Sequence, residues 1–277
     1  MKRLLTISGI YLMVILAIVL PVELYKMFHE LDDNKILGFE ARIALRVSRT
    51  HTSKAVKRLI LGDSTGRLFY PAWQEYDSIV SMACNQAITM AGQYFLLKNY
   101  LETNHDNLPD KIVVIYTPFS LSNDVDKYAY QYFLKPFPPS EYQSLYTKHL
   151  KERIESIPFY WTANWPFIQT SGYTPRFAVP TEEIEVPLSE LTCEYLMLID
   201  SLAQVYNIPW EMCSTPVRDD CIQETENIIC ALEQKTGALT PVFQSYIQSI
   251  RYYPAERFQD ATHLRFEDLN SVEEILK

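Results

Sequence analysis

The sequence predicts an α/β protein: a doubly wound parallel sheet covered by helices on both faces, preceded by one N-terminal transmembrane helix. Three observations predict it. Leu4 to Val22 is a stretch of nineteen residues without a charge. Further on come short, continuously apolar runs, the pattern of strands buried on both faces of a sheet. Helical patterns alternate with those runs, as they do where crossover helices join parallel strands.

The uncharged stretch is long enough to cross a bilayer. Lys2 and Arg3 precede it and Glu23, Asp32 and Asp33 follow, which predicts a single-pass protein with a cytoplasmic N-terminus and an exported main domain, periplasmic or extracellular. The bulky residues around Val19, Leu20 and Pro21 offer no small-x-small cleavage site, so residues 1–29 read as an uncleaved signal anchor. No polar stripe marks the segment as a core helix. Residues 30–57 read as a charged, partly helical connector, and residues 58–277 as the domain.

Within the domain, Arg58-Leu59-Ile60-Leu61 is a strand that stops at Gly62-Asp63-Ser64. Ser78 to Cys84 forms a second, followed after Asn85 by a helix in which Tyr94, Leu97 and Leu101 recur at steps of three and four. Lys111 to Tyr116 is a third strand, ended by Thr117-Pro118. Leu188, Leu191, Tyr195, Leu198, Leu202 and Val205 form the stripe of an amphipathic helix. Apolar residues at alternate positions from Ile208 to Ser214 suggest a fourth strand.

Between the third and fourth strands lies an aromatic-rich insertion, about 126–187. Tyr128 to Phe177 holds 14 of the 36 aromatic residues, among them Tyr130, Tyr132, Phe133, Phe137, Trp161 and Trp165. Two readings stay open: a lid or groove whose rings hold a sugar or acyl chain, and an irregular segment that uses large rings as its own core or rests on the membrane.

Charge and cysteines exclude several functions. Beyond residue 29 the chain carries 22 basic and 33 acidic side chains, a formal −11, which makes a nucleic-acid backbone a poor partner. Cys84, Cys193, Cys213, Cys221 and Cys230 include no Cys-x-x-Cys pair, and no histidine has a second ligand at zinc-like spacing, so no structural metal is expected. A bridge from Cys213 or Cys221 to Cys230 is open in an oxidising compartment. The loop after the first strand lacks the glycine-rich cradle and lysine of a phosphate-binding loop.

Chemistry concentrates in two places. Ser64 follows a strand whose carboxyl end is where ligands bind in an open parallel sheet. A serine hydroxyl needs a base, most often a histidine oriented by a carboxylate. Of the five histidines, His29 and His51 lie in the connector, His105 in a polar loop and His149 in a charged helix. His263 stands three residues after Asp260, within reach of one turn.

A Gly-Asp-Ser after the first strand and an Asp-x-x-His-Leu near the C-terminus resemble the SGNH/GDSL hydrolase superfamily over about residues 58–270. The layout is similar to membrane-anchored members that act in O-acylation of bacterial envelope polysaccharides. The resemblance implies Ser64 as nucleophile, His263 as general base and Asp260 as its orienter, with no cofactor. It implies a serine esterase or O-acyltransferase that works through an acyl-enzyme, with an acyl ester or polysaccharide as substrate and a membrane acyl-transfer protein as a further partner. An oxyanion hole would draw on Ser64 N–H, on a glycine N–H after the second strand and on asparagine side chains. Here Met90 stands at the glycine position and Gly92 is the nearest glycine. Asn85 and Asn123 are the asparagine candidates; Asn123 is equally placed to serve as a helix cap or turn residue beside Asp124, and Asn85 to tie the second strand to the loop after Gly62. These departures leave room for a competing class, a non-catalytic protein of the same fold that binds a polymer or membrane partner.

Overall fold

Four of the apolar runs become four parallel strands: β1 (Arg58–Gly62), β2 (Ile79–Ser81), β3 (Ile112–Ile115) and β4 (Trp210–Cys213), in the order β2-β1-β3-β4. The computed structural model describes residues 2–28, 39–85, 89–125, 130–164 and 188–271. β1 runs beside β3 from Leu59 opposite Ile112 to Gly62 opposite Ile115. Leu59, Ile60, Leu61 and all of β3 are fully buried, which is why these runs show no polar alternation. Leu59, Leu61, Ile112, Val114 and Met212 join the main core, while Ile60, Val113, Ile115 and Cys213 form a smaller cluster with Tyr70 and Ile79.

The chain begins with helix α1 (Lys2–Phe28), whose large apolar side chains from Ile7 to Leu20 are exposed. Among the described residues no helix is long and apolar enough to cross a membrane, so the N-terminal span rests on the sequence alone. The segment read as a connector contains α2 (Phe39–Ser48). Its Ile43, Ala44 and Leu45 belong to the main core, so the packed body starts here and not at residue 58. The amphipathic face of a ten-residue helix is enough to recruit it. The first part of that connector lies outside the described residues.

A short helix, α3 (Ser64–Phe69), follows β1, and the crossover helix α4 (Met90–Thr103) joins β2 to β3. Thr89 caps α4 by accepting Gly92 N–H. The insertion contributes α5 (Tyr130–Leu134), α6 (Pro139–Tyr142) and α7 (Lys148–Glu155), and α8 (Glu190–Val205) leads into β4. α4 packs between α2 and α8. The buried stripe of α8 begins at Leu191 and Tyr195 as predicted, then moves to Leu196, Ile199 and Ala203, leaving Val205 at 78% exposure. A repeat shorter than 3.6 residues per turn rotates off one face by about 20° per heptad.

The described buried apolar residues of the insertion belong to the main core and not to a separate one. Its rings gather on Phe95 of α4: Tyr142 and Tyr146 stack at 5.2 and 5.7 Å between centroids, and Phe137 stands edge-on at 5.4 Å. Tyr195 of α8 closes the cluster edge-on at 5.8 Å. Phe159 and Trp161 are exposed. Trp165 and the rest of the insertion to residue 187 lie outside the described residues.

After β4 the chain forms β5 (Val217–Arg218), α9 (Ile222–Lys235), α10 (Thr240–Ser249) and β6 (Tyr252–Tyr253), with β5 and β6 paired in parallel. Tyr246 of α10, fully buried, donates its hydroxyl to the Tyr116 carbonyl at 3.0 Å, and Ser249 Oγ accepts from Ser214 N–H at 2.7 Å. α10 therefore holds the carboxyl ends of β3 and β4. All five cysteines are free thiols, so neither open disulfide pairing is made.

Because the Phe95 ring contacts those of Tyr94, Phe133, Phe137, Tyr142, Tyr146 and Tyr195, Phe95→Ala is expected to cost about 3–5 kcal/mol. Denaturant unfolding followed by circular dichroism measures this, and a loss well under 1 kcal/mol would contradict the central role given to that ring.

Candidate active site

The turn that leaves β1 is set by two close approaches. A Cβ on Gly62 would lie 2.9 Å from the Ile115 carbonyl oxygen, and one on Gly66 would lie 2.7 Å from it. Only glycine lets α3 start immediately after β1 and still rest on β3. Asp63, 2% exposed, caps that helix: its Oδ1 accepts Thr65 N–H at 2.8 Å and Thr65 Oγ1 at 2.7 Å. Capping is thus done by the aspartate, and the Ser64 hydroxyl at the first helical position is left for another partner.

That partner comes from the other end of the chain. Phe258 and Leu264, both buried, form an antiparallel bridge, and Gln259 N–H donates to the His263 carbonyl at 2.9 Å. Between them the chain folds into a closed loop around Asp260. Asp260 Oδ1 accepts His263 N–H at 2.8 Å and Thr262 N–H at 2.9 Å. The His263 ring then meets both carboxylate oxygens through Nδ1 at 3.0 Å. Its Nε2 lies 2.8 Å from Ser64 Oγ. With the carboxylate on Nδ1, the proton is assigned there, and Nε2 is the acceptor for the serine O–H.

Burial opposes ionisation of Asp260. The His263 ring, the Thr262 N–H, the charge on His263 and the His263 N–H together outweigh it and hold the carboxyl down at about 2, below its ordinary 3.8. The His263 side chain is 14% exposed and the Asp260 side chain 39%, so the site is reachable from solvent.

The structure therefore brings Ser64, His263 and Asp260 into one hydrogen-bonded line. The oxyanion candidates fare differently. Gly92 is not available: its N–H donates to the capping Thr89 Oγ1 at 3.4 Å inside the first turn of α4. Asn85 follows the end of β2. Met82 and Cys84 donate to the Ile60 and Gly62 carbonyls, so the ladder carries the chain to Asn85 at the carboxyl edge beside the serine turn. Its side-chain amide has no partner among the described residues. Gln86, Ala87 and Ile88 lie outside the described residues. Asn123 ends the 3-10 turn Pro118–Ser122, with its N–H on the Ser120 carbonyl at 3.1 Å. Among the described residues no cluster of three or more potential ligands is placed to hold a metal.

Two supporting elements escaped the sequence reading. The fully buried amide of Gln93, in α4, grips Gly62 from both sides: Oε1 accepts Gly62 N–H and Nε2 donates to the Gly62 carbonyl, each at 3.0 Å. Glu40 of α2 pairs with Arg67 of α3 and accepts Asn85 N–H at 3.4 Å. The only available signal was composition, since neither contact is local in sequence. The other histidines are committed elsewhere among the described residues, with His51 on Asp106 at 3.0 Å and His149 near Glu190 and Glu194 at 3.6 Å.

No protein-family model matches the chain, and no curated protein does. A solved structure described as "a putative platelet activating factor from Streptococcus pneumonia" is similar at 13% identity and a TM-score of 0.38, over 90% of this chain and 92% of that one.

Two outcomes follow from this geometry. Gly66→Ala forces the added methyl onto backbone and is expected to destabilise the protein by about 1–3 kcal/mol in thermal or denaturant melts; an unchanged melt would show that the turn can give way. The second concerns acid. A carboxyl depressed on folding contributes stability above its unfolded value near 3.8, and that contribution disappears as pH falls toward about 2. Asp260→Asn removes it, so wild type and variant should differ most above pH 3.8 and converge toward pH 2. Parallel acid-unfolding curves for the two would contradict this.

Proposed function

We infer that the protein is a serine ester hydrolase or O-acyltransferase of the SGNH type. The observation that carries this reading is the 2.8 Å contact of Ser64 Oγ with a His263 ring whose far nitrogen sits on Asp260. In the proposed reaction Ser64 Oγ attacks the acyl carbonyl while His263 Nε2 takes its proton. Collapse of the tetrahedral intermediate expels the alcohol, which receives that proton, and leaves an acyl-serine. Water or a sugar hydroxyl, deprotonated in turn by His263, then attacks the acyl-serine, and the proton returns to Ser64. Asp260 holds the ring in the useful tautomer and stabilises the imidazolium. Ser64 N–H, at the start of α3, and the Asn85 amide are the donors proposed for the oxyanion.

The proposed substrate is an acyl ester of an envelope glycan or related polymer. The proposed location is the exported face of a membrane, with a membrane acyl-transfer protein as the acyl source in the transferase case. Support for the anchor comes from the uncharged run Leu4 to Val22, the charges that flank it and the exposed apolar side chains of α1. The acidic body argues against nucleic acid as a partner.

One observation favours a non-catalytic binding protein of the same fold: Gly92 N–H is spent on Thr89. Losing one oxyanion donor typically costs about 10²–10³ in rate and leaves an activated serine in place, so covalent labelling separates the two readings. Treated with a fluorophosphonate, the wild type is expected to gain one phosphonyl adduct by intact mass while Ser64→Ala gains none. Ser64→Ala and His263→Ala should each lower turnover of a small aryl ester by about 10³-fold or more. A folded wild type that stays unlabelled would sink the catalytic reading.

A further inference from the structure

On the outer side of β2, the edge strand of the sheet, lies a cleft of about 470 Å³ between α2, the segment before β1 and the loop before β2. Its volume is in the range of small-molecule sites, and none of Ser64, Asp260 or His263 lines it. Two phenols, Tyr76 and Tyr100, are among the residues that line it, and their hydroxyls are buried with no hydrogen-bond partner among the described residues. Tyr100 is 1% exposed. Burial of such a group is costly unless something accepts from it. Burial also raises both phenols to about 12, so they remain O–H donors at neutral pH.

The rim inverts the charge of the body. Arg46 and Lys54 line the cleft with no ion-pair partner among the described residues, and Glu75 is the one acid that lines it with them. His51, also on the wall, is taken by Asp106. Trp73 is 45% exposed with its ring 5.9 Å from that of Phe39, which leaves a flat apolar face at the mouth. Donors inside, unpaired cations at the rim and a flat ring beside them suit a ligand that is oxygen-rich, anionic and partly apolar on one face.

We propose that this cleft binds an acidic sugar, a pyranose bearing a carboxylate or a phosphate, with the anionic group between Arg46 and Lys54, the ring on Trp73 and ring oxygens accepting from Tyr76 and Tyr100. The site does not depend on the chemistry at Ser64. A glycan-modifying protein would use it to hold a second residue of an acidic polymer, and a protein with an inert serine would use it in the same way.

Titration calorimetry on the full chain tests the assignment, with glucuronate, glucose 6-phosphate, glucose and inorganic phosphate as probes. At least one acidic sugar is expected to bind with Kd of about 1 mM or tighter, glucose and inorganic phosphate at least about tenfold more weakly, and the preference between the two acids identifies the anion. Arg46→Gln with Lys54→Gln should weaken binding about tenfold or more, and Ser64→Ala should leave it unchanged. Tyr100→Phe should weaken binding several-fold while the melting temperature of the free protein stays level or rises, because the variant removes an unpartnered hydroxyl. The proposal is overturned if neither acidic sugar binds, if inorganic phosphate or glucose binds as tightly, if the Arg46 and Lys54 substitutions leave affinity unchanged, or if Tyr100→Phe lowers the melting temperature and leaves affinity untouched.

Discussion

The close approach of Gly62 and Gly66 to the Ile115 carbonyl is the constraint on which the site depends. It lets the chain turn from β1 into α3 without rising off the sheet, and it puts Ser64 between β1 and β3, where the strand order reverses. A parallel sheet opens a crevice at that point because its connections leave in opposite directions. Once the turn is fixed, the surrounding polar groups are tied down in sequence. Asp63 satisfies the first turn of α3, Gln93 pairs both backbone groups of Gly62, and the Arg67 to Glu40 pair reaches Asn85 N–H. The serine hydroxyl, which the cap does not use, meets His263 Nε2.

The base is held by different means. The loop from Phe258 to Leu264 contains no regular element, and its shape comes from a two-residue bridge and a carboxylate that collects backbone N–H groups. Asp260 thus does two jobs: its Oδ1 organises the loop, and both oxygens orient the imidazole. Earlier in the chain, the buried Tyr246 and the Ser249–Ser214 bond tie α10 to the ends of β3 and β4. The loop is pinned at both ends by the buried Phe258 and Leu264 and at its middle by Asp260, which suits a group that must move a proton without moving far itself.

What could be read in the sequence follows from the range of the interactions. β1 and β3 were visible because continuous apolar runs reflect burial on both faces, β4 because apolar residues alternate from Ile208 to Ser214, and Ser64, Asp260 and His263 because short motifs mark them. The Gln93 clamp was hidden: a glutamine in a helix reads as solvated, and only the fold puts it 3.0 Å from Gly62. Gly92 was misread for a local reason, since Thr89 three residues earlier is a helix cap that consumes the glycine's N–H. α2 was set aside as a connector because its buried face is short and its charges are prominent. β5 and β6, at two residues each, carry too little pattern to read. The described part of the aromatic insertion joined the main core because Phe137, Tyr142 and Tyr146 pack on Phe95 of α4.

Ser64 and His263 are 199 residues apart. A ribosome adding about 5–20 residues per second needs roughly 10–40 s to travel from one to the other. During that interval the sheet can begin to pair and Asp63 can cap α3, yet the serine is an ordinary alcohol with no acceptor for its proton. The arrangement works as a timer: the hydroxyl gains its partner only when almost the whole domain has been made, after the N-terminal segment has long left the ribosome.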